Sequence, residues 1–73
     1  MKIYINDIIE IHKKAFMLDD VEEHIFEEIL LSTVEEELDY DDNSIFITEE
    51  TLMKYYSYII FSYIETQLFI KCS

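Results

Sequence analysis

Apolar side chains recur at helical spacing in three stretches of the chain. From Met1 to about Leu18, Ile5, Ile8, Ile9 and Phe16 suit one face of a helix, with His12, Lys13 and Lys14 on the other side. Asn6 or Asp7 is the expected cap. The opening Lys2-Ile3-Tyr4-Ile5 alternates, which allows a short strand before that cap. The second stretch opens on Asp19 and Asp20, each followed three residues later by Glu22 or Glu23, a capping-box pattern with Asp in the cap position. Val21, Ile25 and Ile29, with Phe26 and Leu30, form its expected buried stripe. Glu35, Glu36 and Glu37 would meet the negative end of the dipole if this helix ran on. Ser32-x-x-Glu35 and Thr33-x-x-Glu36 suggest instead a break near Ser32–Thr33 and a fresh helix start.

Residues 39–44 form a polar connection, and Ile45-Phe46-Ile47 is a short strand or a buried loop. Thr48 then caps a last helix running from Glu49 to about Ile70, with Glu49 and Glu50 in its first turn. Leu52, Tyr56, Ile59, Ile60 and Tyr63 point one way, while Tyr55, Tyr58 and Phe61 cover much of the rest. A helix apolar on every side is buried on every side. Homodimerisation through this helix is therefore expected, at Tyr56, Ile60, Tyr63 and Ile64. The expected fold is all-α: one domain over residues 1–73, three or four helices, and one optional β pairing between residues 2–5 and 45–47.

Composition sharpens this picture. Apolar residues make up 51% of the chain, with six Tyr and five Phe, far too many for a disordered acidic tail. Gly and Pro are absent, so left-handed turns fall to other residues. At 73 residues a self-sufficient core is near its lower size limit. The only cysteine, Cys72, leaves no internal disulfide and suits a reducing compartment. Asn6 and Asp7 cut off the opening apolar run before it reaches signal-peptide length. The run Tyr55–Ile64 is too short and too polar to span a bilayer. A soluble, cytoplasmic protein is expected.

Charge is the most unusual property. Fourteen of the seventeen carboxylates lie between Asp19 and Glu50, a stretch with no Lys, and the chain has no Arg and a formal charge of −12. Carboxylates along residues 19–37 come about every 3 Å if that segment is helical, close to the ~3.4 Å phosphate rise of one DNA strand. An acidic face that only solvates a Tyr-rich protein accounts for the net charge but not for the exclusion of every cation from one block. In charge alone the block resembles small phage-encoded DNA mimics of the anti-CRISPR and anti-restriction type. That resemblance implies a non-enzymatic inhibitor occupying the basic nucleic-acid channel of a host nuclease or defence complex. Glu23, Glu27, Glu28, Glu35, Glu36, Asp41 and Asp42 would stand in for phosphates, with Tyr40 packing at the rim. A second reading, from a different class, is a helical homodimer or complex subunit whose acidic face is only solvated; an immunity protein or antitoxin shares features of both.

Residues 39–50 also match part of an EF-hand calcium loop, with Asp39, Asp41, Asn43 and Glu50 at ligand positions. Ser44 replaces the required Gly, and Ile47 cannot ligate, which makes this the remotest reading. His12 and His24 lack the companions of a metal site, and His24 beside Glu23, Glu27 and Glu28 is expected at the surface. No nucleophile–base pattern is present, and Cys72 has no base near it in sequence. No catalytic residue, cofactor or metal is expected. Five Lys against seventeen acids also argue against direct nucleic-acid binding.

Overall fold

A computed structural model describes residues 1–72. In chain order the elements are β1 (Lys2–Tyr4), α1 (Ile5–Ala15), α2 (Asp20–Thr33), a 3-10 turn (Glu35–Glu37), β2 (Asp39–Asp41), β3 (Ser44–Thr48) and α3 (Glu49–Cys72). The strands form one antiparallel sheet in the order β1-β3-β2. The fold is therefore α+β, which corrects the all-α expectation. The pairing anticipated between residues 2–5 and 45–47 is one half of a three-stranded sheet, in which Ile3 faces Ile47 and Tyr4 faces Phe46. The other half was hidden because β2 reads Asp-Tyr-Asp: carboxylates are poor strand formers and carry no apolar alternation. Asp39 to Asp41 extend because a two-residue turn at Asp42-Asn43 folds them back onto the open edge of β3, with Tyr40 opposite Ile45. Asp42 takes the left-handed backbone that this glycine-free turn requires, φ 41°.

Helix α1 begins directly at Ile5 without a side-chain cap, so Asn6 and Asp7 lie inside the helix rather than capping it. The helix ends in a Schellman arrangement. Leu18 N–H reaches back to Lys13 O at 3.0 Å, and Met17 adopts φ 54° where Gly would be usual. Helix α2 opens on the capping box of Asp19 and Glu22, each side chain bonded to the other's backbone N–H at 2.8 and 3.0 Å. It stops at Thr33, as Ser32–Thr33 suggested, but no new α-helix begins. The hydroxyls of Ser32 and Thr33 donate backwards to Ile29 O instead of capping forward. Glu35 to Glu37 form a single 3-10 turn. At the start of α3, Thr51 N–H donates to the Thr48 hydroxyl at 3.2 Å, the cap expected there.

Three helices and the inner face of the sheet enclose one core. It contains Ile5, Ile8 and Ile9 of α1, Phe26 and Leu30 of α2, Ile47 of β3, Ile59 and Tyr63 of α3, and Leu18 and Val34 from the connections. His12 belongs to it too, at 8% exposure. It completes the i, i+3, i+4, i+7 stripe begun by Ile5, Ile8 and Ile9, and so lies on the inner face instead of beside Lys14. Its Nδ1 donates to Ile8 O at 2.6 Å, which leaves Nε2 to accept from the Tyr56 hydroxyl at 2.7 Å. The ring stacks on Phe26 at 4.8 Å. One imidazole thus joins all three helices. Val21, expected in the buried stripe, is exposed in the first turn of α2.

Candidate functional site

Directly paired residues of an antiparallel sheet share a face. Lys2, Tyr4, Phe46 and Asp41 therefore occupy the outer face, and Ile3, Ile45, Ile47 and Tyr40 the inner one. On the outer face Lys2 Nζ donates to Asp41 Oδ2 at 3.0 Å, and the Tyr4 hydroxyl donates to the same oxygen at 2.9 Å. Lys2 lies 4.7 Å from the centroid of the Phe46 ring. The hydrogen bond from Lys2, then that from the Tyr4 hydroxyl, and last the Lys2 charge hold the Asp41 carboxyl below the usual carboxylate range; Asp41 in turn raises Lys2. Asp41, expected to meet a partner, is already neutralised within the chain.

Glu23 is similarly engaged. Lys13 in the last turn of α1 pairs with Glu23 of α2 at 2.8 Å and approaches Asp20 at 3.7 Å. This ties the end of one helix to the start of the next. Lys14 pairs with Glu10, and Lys54 lies over the Tyr55 ring. Glu28 meets His24 at 3.2 Å on the exposed side of α2. Among the described residues no cation pairs with Glu27, Glu35, Glu36, Glu37 or Asp42.

These uncompensated acids have a definite setting. A 340 Å³ cleft between α1, α2 and the hairpin is bordered by Asp7, Glu27, Asn43 and Ser44, with Leu31 and Ile45 in its wall. A shallower groove on the other side of Leu31 and Ile45 is bordered by Glu28, Glu35, Leu38 and Tyr40. Because both share Leu31 and Ile45, they form one surface: a small apolar centre rimmed by Asp7, Glu27, Glu28 and Glu35, with Tyr40 at its edge and Asp42 next to Asn43 in the turn. Glu36 stands on the 3-10 turn beside Ser32, Thr33 and Tyr55. Of the eight expected partner residues, the fold gathers Glu27, Glu28, Glu35 and Tyr40 around one groove and diverts Glu23 and Asp41 into internal pairs. It also adds Asp7, which lies far from the acidic block in sequence and carries no sequence signal for membership.

No known family, curated protein or solved structure matches the chain.

The remaining candidate residues separate clearly. Asp39 and Asp41 lie on a strand, Asn43 in the turn and Glu50 in the first turn of α3, so the calcium-loop residues follow a hairpin instead of wrapping a point. Among the described residues no three His, Cys, Asp or Glu converge as cation ligands. On α3, Tyr63 is buried against Phe26 in the chain's own core, its ring 5.6 Å away, and burial pushes its hydroxyl upward in pKa. Tyr56 is held by His12, and Ile60 packs against the core. Ile64 lies on the outward face, and Tyr56 and Ile60 border a shallow hollow there beside Phe61, so of the four expected interface residues Tyr63 is the one enclosed by the core. The Cys72 side chain lies outside the described residues. No helix among the described residues is long and apolar enough to cross a membrane.

Proposed function

We propose that this chain is a non-enzymatic inhibitor that binds the basic surface of a nucleic-acid-handling protein, with carboxylates in the place of phosphates. One observation supports this reading above the others: Glu27, Glu28 and Glu35 rim a groove with a small apolar centre, while Lys2, Lys13 and Lys14 are paired with acids elsewhere on the molecule. Net charge for solubility does not require that segregation. A carboxylate rim with a central Leu31–Ile45 patch also suits a protein partner better than a small ion, because apolar burial adds affinity that electrostatics alone seldom supplies. Basic channels focus field, so such a partner would associate quickly and in a salt-sensitive way. A reducing cell interior, where nucleases and their complexes act, is the proposed setting.

The reading is tested by immobilising the chain, capturing proteins from a cell lysate and eluting with salt and with duplex DNA. Nucleic-acid-binding proteins should be retained, should elute between about 50 and 200 mM salt, and should be displaced by DNA. The triple variant E27K/E28K/E35K should retain none of them. Equal capture by wild type and triple variant would sink the proposal.

A further inference from the structure

Among the described residues nothing covers the outward face of α3 around Phe61, and its charges define a partner. At about 100° per residue, Ile59 and Tyr63 face the core, and Phe61 stands on the opposite side, 68% exposed. Around Phe61 lie Ser57, Tyr58, Ile64 and Leu68, all exposed. Ser57, Phe61, Ile64 and Leu68 follow the 4-3-4 spacing of a helix–helix seam. The small Ser57 leaves a hollow on each side of Phe61, of 270 and 290 Å³. The run Tyr55–Ile64 carries no charge, and it is bounded by one cation, Lys54, and one anion, Glu65. Lys54 and Glu65 are eleven residues apart, about 16 Å, and both fall on the outward face.

The geometry points to a second copy of this chain as the occupant, docked with the two α3 helices antiparallel about a two-fold axis near Ile59–Ile60. In that register each Phe61 enters the hollow over the other copy's Ser57. Each Lys54 meets the other copy's Glu65. A parallel arrangement would set Lys54 against Lys54 and Glu65 against Glu65, so charge selects the antiparallel one. Two chains of charge −12 repel strongly, yet the arrangement tolerates this: α3 packs its opposite face on α2, so the acid-rimmed groove points away from the axis. The inference is independent of the groove's proposed function, since it concerns other residues on another side of the molecule.

Sedimentation equilibrium and light scattering on the full chain test it. Wild type should show twice the chain mass at tens of micromolar; a monomer at all concentrations would overturn the proposal. Phe61→Glu, at a site exposed in the monomer, should weaken dimerisation by about 100-fold with an unchanged far-UV circular dichroism spectrum. A dimer that survives this substitution would place the interface elsewhere. Lys54→Glu and Glu65→Lys should each weaken the dimer by roughly tenfold, and the double variant K54E/E65K should restore it. Restoration is specific to the antiparallel register, and its failure would reject that register even if the Phe61 variant behaves as expected.

Discussion

His12 and Asp41 each do work that their neighbours in sequence do not announce. A buried imidazole flanked by a carbonyl and a hydroxyl has its tautomer fixed: Nδ1 carries the proton toward Ile8 O, and Nε2 depends on the Tyr56 hydroxyl. Tyr56→Phe should therefore destabilise the fold by about 1–3 kcal/mol, the cost of leaving a buried acceptor unsatisfied. Urea unfolding measures it; a change below a few tenths would mean that water replaces the hydroxyl. Asp41 sets a pH dependence. Its folded pKa lies below its unfolded one because Lys2 and Tyr4 donate to it. The stabilisation is present above the unfolded value, about 3.9, and is lost as pH falls through the folded value. Asp41→Asn should show a shallower loss of stability below about pH 4 than wild type, measured by thermal melts across an acid pH series. Identical acid limbs would mean that the Lys2–Asp41 pair adds nothing.

The segments that join the elements show how a chain without glycine turns corners. Met17 ends α1 in the left-handed region with its side chain exposed, so Met17→Gly should relieve backbone strain. The variant is expected to melt higher, by about 0.5–1 kcal/mol of added stability, after the greater entropy of an unfolded glycine is subtracted. At the other end of the connection the Asp19–Glu22 capping box starts α2, and Asp19→Ala should cost about 1 kcal/mol. The exit of α2 runs the opposite way. Glu35 to Glu37 follow a helix C-terminus, where negative charge is unfavourable, and no cation pairs with them among the described residues. Glu35→Gln with Glu36→Gln should stabilise the fold by about 0.5 kcal/mol and weaken capture of a basic partner at the same time. Stabilisation with undiminished binding would mean that these carboxylates play no part in capturing a basic partner.

Across the whole molecule the 40 × 21 × 17 Å envelope is elongated, and its charge is unevenly spread. Cations sit on the outer face of the sheet and at the α1–α2 corner, and the acid-rimmed groove lies between α2 and the hairpin. The middle of the outward face of α3, from Lys54 to Glu65, combines apolar residues with a single charge of each sign. Self-repulsion at −12 should make Tm rise as salt increases from low ionic strength, by about 5 °C for each kcal/mol of repulsion screened. A Tm that falls with salt would show that internal pairs such as Lys13–Glu23 outweigh the repulsion.

Much of this protein was determined by local sequence. The capping box at Asp19, the stop near Ser32–Thr33, the Thr48 cap and the long apolar α3 rest on contacts within four residues, which spacing reports directly. The position of His12 was also legible, in a stripe of spacing 3-1-3 that its polarity disguised. Other features are non-local. Strand β2 exists because the edge of β3 was open, a property of the sheet and not of Asp-Tyr-Asp. Asp41 and Glu23 left the acidic surface because Lys2, thirty-nine residues away, and Lys13 across a helix corner reached them. Asp7 entered it because α1 packs beside Glu27. On α3 the sequence shows an apolar helix, but only packing against α2 decided which face became core and which was left exposed. Short-range hydrogen bonding and periodicity are written in the order of residues, whereas the pairing of charges and the choice of exposed face depend on distances that exist only after the chain has folded.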